Sequence, residues 1–154
     1  MQHRAKLAID VQYASPAIEQ SLALITSSAL LRKWVKAATQ QSGLITLRFV
    51  NQVESKKLNF AFRNKDKPTN VLTFPYELSK TSLAADIVIC LPVLKKEAKE
   101  QGKLLKDHLA HLIVHGCLHA QGHDHEVEKD AKKMENLEVR ILKNLGFSNP
   151  YLQK

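Results

Sequence analysis

The chain has 154 residues, 44% of them apolar and 25% charged, which suits one domain (1–154) with one core and no need of disulfides. No apolar run is long enough for a transmembrane helix, and the N-terminal "MQHRAKLAIDVQYAS" lacks the apolar stretch of a signal peptide, so a cytoplasmic protein without a membrane partner is expected. The formal charge of +8, from 23 Lys and Arg against 15 Asp and Glu, favours polyanionic partners, although lysines spread over solvated helix faces give the same total.

"LAIDVQYA" (7–14) alternates and reads as a strand. Ser15 and Pro16 then supply an N-cap and a first helical residue for one long helix, "AIEQSLALITSSALLRKWVKAATQ". After Gly43 comes a second strand, "LITLRFV" (44–50), followed by a looser helical pattern with Asn51 as its N-cap. "NVLTFPYE" (70–77) and "ADIVICLP" (85–92) are two further strands. From Pro92 the periodicity is helical through "PVLKKEAKEQ", "LLKDHLAHLIVHGCLHAQ" and "EVEKDAKKMENLEVRILKNLG". In the last of these Asp124 is the candidate N-cap, Gly146 the stop, and Val127, Ala131, Met134, Ile141 and Leu145 the apolar stripe. Four strands with about five helices gathered late give an α+β single domain. Cys90 and Cys117 each lie inside an apolar run, which favours small buried thiols over a disulfide.

Six of the seven histidines fall between His108 and His125, four of them in "HGCLHAQGHDH" (115–125). His115 and His119 are one helical turn apart, about 40° around the axis, the spacing two imidazoles need to grip one ion. Gly122 breaks the helix, and His125 is placed to fold back as a third ligand. Three imidazoles with an open fourth position describe a catalytic zinc site, in which the pKa of a bound water falls to about 7. Taken singly, histidines of this kind are more often surface or satisfied core residues. His111, one turn earlier on the same face, either replaces one of the three or supports them from behind; His123 diverges from His125, and His108 and His3 read as surface positions. Where HExxH peptidases carry their general base, this chain has Gly116.

These residues resemble a known family. "HGCLHAQGHDH" is similar to the HGxLHLxGYDH signature of the YbeY family, bacterial endoribonucleases that mature and quality-check ribosomal RNA. "LNFAFRNKDKPTNVLTFPYE" (58–77) resembles that family's LNxxYRxKDxPTNVLSFPxE, and "ADIVIC" its GDIVI strand. The similarity runs from about residue 44 to the C-terminus. It implies a small α+β fold with a four-stranded mixed sheet and a metal site at the end of a helix, Zn²⁺ or another divalent transition metal on His115, His119 and His125, and a functional arginine at Arg63. Ala120, His123 and Ala85 depart from the pattern, where the family has Leu, Tyr and Gly, without removing a ligand.

Read by its chemistry, Arg63, with Lys65 and Lys67 after it, is either a planar donor fork for a phosphodiester or a surface arginine in a basic loop. Glu138, on the inner stripe of the last helix, either orients a ligand histidine or is an exposed or capping acid. The resulting expectation is a metal-dependent, single-strand-specific endoribonuclease acting in 16S ribosomal RNA processing, with ribosomal RNA and the small ribosomal subunit as partners. A ribosome-assembly factor with a structural metal, and a zinc hydrolase of peptides or small amides, are the two other readings.

Overall fold

The computed structural model describes residues 6–123 and 126–152. Four strands, β1 (Leu7–Tyr13), β2 (Ser42–Val50), β3 (Val71–Leu78) and β4 (Ser82–Cys90), form one mixed sheet in the order β1-β2-β4-β3. β1, β2 and β4 run parallel, and β3 is an antiparallel edge strand. Among the described residues six helices accompany it: α1 (Pro16–Ala23), α2 (Ser28–Ala38), α3 (Gln52–Arg63), α4 (Leu91–Gln101), α5 (Leu105–Ala120) and α6 (Glu128–Asn144). The α+β expectation holds.

The long first helix of the sequence reading is two helices. Ser27 interrupts it: its hydroxyl accepts from the Leu30 amide at 3.1 Å, capping α2 as Ser15 caps α1. A hydroxyl that can satisfy an orphan amide competes with continuation of the helix, and the Thr-Ser-Ser run has little propensity to resist it. Asn51 caps α3 as expected, accepting from the Glu54 amide. α6 opens at Val127 without a side-chain cap, and Asp124, the expected cap, lies outside the described residues. Val127 is exposed, so the buried stripe of α6 begins later, at Met134, Glu138 and Leu142.

The alternation of β1 sets the layering. Leu7, Ile9, Val11 and Tyr13 face the main core with Ile45, Leu47 and Phe49 of β2 and Leu83, Ala85, Ile87 and Ile89 of β4; the residues between them face outward. α2, α5 and α6 cover that inner face. On the other face Val50, Leu72, Val88 and Cys90 make a smaller cluster with Leu58 of α3 and Val93 of α4. Cys90 and Cys117 are buried, unpaired thiols, as expected; burial pushes the Cys117 thiol up to about 12.

α5 lies in the middle of this arrangement and approaches the sheet closely at Gly116. A β-carbon there would sit 2.9 Å from Ile87 Cγ2 and 3.5 Å from Val71 Cγ2, so only glycine lets the helix seat at this depth. Beyond its end, Gly122 takes φ +93°, and the Gln121 side chain bridges the Cys117 carbonyl and the Ala38 carbonyl of α2. Among the described residues no helix is long and apolar enough to cross a membrane.

Candidate functional site

The last three turns of α5 carry His111, His115 and His119 on one face, successive rings 6.3 Å apart between centroids. That face meets α6, whose buried stripe contains one carboxylate, Glu138, at 1% exposure. The carboxylate gathers three donors. His115 Nδ1 lies 2.6 Å from Oε1 and His111 Nε2 lies 2.9 Å from Oε2, while the Tyr151 hydroxyl donates to Oε2 from the C-terminal segment. Burial by itself would raise the Glu138 pKa, but the hydrogen bonds from His111, His115 and Tyr151 outweigh it and bring it down to about 2. Glu138 is therefore an ionised, acceptor-only group near neutral pH, and the facing imidazole nitrogens carry the protons. The Tyr151 phenol is pushed well above its ordinary range, by burial first and then by the carboxylate beside it, and stays protonated.

This has a direct consequence for His115. With Nδ1–H donated to a fixed carboxylate, the tautomer and the ring orientation are set, and Nε2 is the nitrogen that would ligate a metal. The donor chemistry of this face, an imidazole oriented by a buried carboxylate with a second imidazole one turn on, fits a divalent transition ion. The expected third ligand, His125, lies outside the described residues, and among those that are described no group of three His, Cys, Asp or Glu side chains is close enough to hold an ion. A cleft of about 290 Å³, lined by Gln121, Gly122, His123, Asp130 and Lys133, opens beyond the end of α5. A larger cavity of about 410 Å³ lies behind the network and shares His111 and Tyr151 with it.

Gly116 explains the missing peptidase base. The residue after His115 faces Ile87 and Val71, not the imidazole face, so no carboxylate could stand there without displacing the sheet.

Arg63 is the last residue of α3 and is exposed. Asn64, in the left-handed conformation at φ 56°, closes the helix, its amide donating to the Phe60 carbonyl. The loop beyond is pinned to α3 by two buried polar side chains: Ser55 bonds both the amide and the carbonyl of Thr69 at 3.0 Å, and Asn59 donates to the Lys67 carbonyl at 2.8 Å. The basic segment after Arg63 is thus held in place by its backbone while its cations reach solvent. No described contact joins Arg63 to His115 or His119, and no described carboxylate pairs with it.

The sequence model described as Endoribonuclease YbeY matches residues 10–146. The chain belongs to that family. It is 69% identical over 152 residues to an Endoribonuclease YbeY of Polynucleobacter asymbioticus, covering 99% of this chain and 98% of that one. It is 49% identical over 155 residues to its counterpart from a Janthinobacterium species, covering 99% of each. The solution structure of a Thermotoga maritima protein shares the fold, with a TM-score of 0.56 at 23% identity over 94% of this chain and 99% of that one.

Two positions differ from the expectation drawn from sequence. His108, read as a surface residue, is 4% exposed, with Nε2 2.9 Å from Glu97 of α4; burial lowers its pKa against the opposing pull of Glu97, keeping it neutral near pH 7. The face it occupies is closed over by α4, which the spacing of α5 alone does not disclose. Tyr151, to which no local pattern gives a role, donates its hydroxyl to Glu138 and completes that carboxylate's set of donors. Glu138 is buried and hydrogen-bonded to His115 and His111 and so is not an exposed or capping acid; the signal was its register with Met134 and Leu142 on an otherwise apolar stripe.

Proposed function

We propose that this chain is a metal-dependent, single-strand-specific endoribonuclease of ribosomal RNA, acting in the cytoplasm in processing and quality control of the small subunit; the relatives named Endoribonuclease YbeY support the endoribonuclease part of this reading. His115, His119 and His125 would hold one Zn²⁺ or a similar divalent ion. When bound, such an ion polarises a phosphodiester oxygen and lowers the pKa of a water to about 7.

The protein groups have separable tasks. Glu138 keeps the proton on His115 Nδ1 and fixes the ring, with Tyr151 and His111 holding the carboxylate ionised and in place. Arg63 offers a planar pair of donors for the non-bridging oxygens of the scissile phosphate, where negative charge grows as the bond breaks. The basic surface, with a net charge of +8, supplies salt-sensitive affinity for RNA.

The observation that carries this reading is the 2.6 Å contact between His115 Nδ1 and an ionised, buried Glu138, an arrangement suited to orienting a ligand histidine. The test pairs metal content with cleavage of a single-stranded ribosomal RNA fragment. His115→Ala is expected to lose both, and Arg63→Ala to keep about one metal per chain while losing cleavage. Cleavage that survives in both variants would sink the catalytic reading and leave a ribosome-binding factor with a structural metal.

A further inference from the structure

The edge strand β3 carries a line of aromatic rings that the site described above does not use. Phe62, one residue before Arg63, packs its ring 4.9 Å from Phe74 of β3 at 62°. Phe74 pairs directly with Asp86 of β4, so those two side chains share one face of the sheet. The register then slips between Pro75 and Glu77, and this bulge turns Tyr76 toward the same face, where its hydroxyl donates to Asp86 Oδ2 at 2.6 Å. Phe62, Phe74 and Tyr76 therefore form one strip along the edge strand. Its outer members lie open to solvent, Phe62 at 66% and Tyr76 at 70% exposure, a large apolar area to leave wet without a partner.

The charges around the strip indicate what covers it. Lys65 and Lys67 follow Phe62 and Arg63 on the pinned loop, and all four side chains are exposed. The nearby acids are already engaged: Asp66 faces Lys56 at 3.7 Å, Glu77 accepts from Ser82 Oγ at 3.3 Å and Asp86 holds Tyr76. Arg63, Lys65 and Lys67 have no described carboxylate to pair with. Protein interfaces are depleted in lysine, whereas aromatic faces bordered by unpaired cations suit a strand of bases with its phosphates. Duplexes hide their base faces inside the stack, so such a platform selects single strands.

We propose that Phe62 and Tyr76 are a base-stacking platform for single-stranded RNA, holding about two or three nucleotides against the β3 edge with their phosphates on Arg63, Lys65 and Lys67. The inference rests on the ribonuclease reading and adds to it the residues that position the strand. The platform leads directly into Arg63, so a strand stacked on Phe62 delivers its next phosphate to the guanidinium.

The test is fluorescence anisotropy with a labelled 2′-O-methyl oligoribonucleotide of about ten nucleotides, single-stranded and as a duplex, on the metal-loaded protein, with intact probe verified on a gel. Phe62→Ala and Tyr76→Ala are expected to weaken single-strand binding about tenfold each and to leave the salt slope unchanged. Phe62→Tyr and Tyr76→Phe are expected to retain binding, and Lys65→Ala to lower the salt slope by about one. Duplex binding should move little in the aromatic variants. Wild-type single-strand binding that both alanine variants preserve would overturn the platform and leave the ribonuclease reading standing. Equal losses on single strand and duplex would overturn it as well, as would a dimer in sedimentation that Phe62→Ala dissolves. Wild type that binds no RNA and cuts none would overturn both readings.

Discussion

Glu138 and Arg63 carry the two charges on which the proposed chemistry depends, and they sit at opposite extremes of solvation. Glu138 is sealed between α5 and α6, with three donors fixed on its two oxygens. Arg63 ends α3 in solvent beside two lysines, on a loop whose backbone is pinned but whose cations reach outward. The contrast follows the two tasks. A ligand histidine must stand in one orientation before the ion arrives, and burial supplies that because an ionised carboxylate in a low dielectric tolerates no loss of its donors. A phosphate clamp must first capture a long, hydrated polyanion, and exposed cations attract it from a distance while contributing little to folding.

Glu138→Gln attacks the buried half most severely. It keeps the volume, removes the charge and presents an amide donor to groups that themselves donate. Expected are a loss of metal affinity of about 10- to 100-fold by zinc titration and destabilisation of roughly 3 kcal/mol by urea denaturation. The same group sets an acid limit. Its folded pKa, about 2, lies below the ordinary value of 4.5, so on acidification the unfolded chain takes up the proton first. The stabilisation is therefore complete above about pH 5 and drains away as pH falls through 4.5 toward 2. Plotted against pH, the stability gap between wild type and Glu138→Gln should close across that window; a constant gap would mean the carboxylate is not ionised in the fold.

Gly116→Ala tests whether α5 needs its depth. With Ile87 Cγ2 2.9 Å from the new methyl, a cost of about 1–3 kcal/mol is expected in denaturant midpoint. Tyr151→Phe removes one of three donors and leaves both histidines. A loss of about 1–2 kcal/mol would match a hydrogen bond to a charged group, whereas no change would put the tyrosine outside the network. Smallest in stability should be Arg63→Ala, within about 0.5 kcal/mol, accompanied by a salt slope for RNA binding lower by about one. If Arg63→Ala unfolds the protein, or Glu138→Gln leaves stability and metal affinity untouched, the division between a buried organiser and an exposed clamp fails.

Much of the fold could be read in advance because local rules and tertiary packing agreed. Ser15-Pro16, Asn51 and Gly122 act at their positions through their own side chains or their own lack of one. The α1–α2 break was missed because Ser27 competes with a helical pattern that continues on either side of it, and a periodicity spanning both pieces hides a cap between them. His108 was misplaced for a different reason: α5 is covered on more than one face, so amphipathic spacing does not tell which of its polar residues meets a partner such as Glu97.

The sequence by itself determined the four strands, the helical second half, the histidine spacing and the family, since each depends on residues near one another in the chain or on motifs quoted from it. Only the tertiary structure decided that Glu138, 23 residues after His115, accepts from its Nδ1, that Tyr151 and His111 complete that carboxylate's shell, and that a bulge sets Tyr76 in line with Phe62. Those contacts join segments whose separation along the chain carries no periodic signal. They exist because packing one core brings α6, the C-terminal segment and the sheet edge to fixed places, and a buried charge persists only where its donors converge.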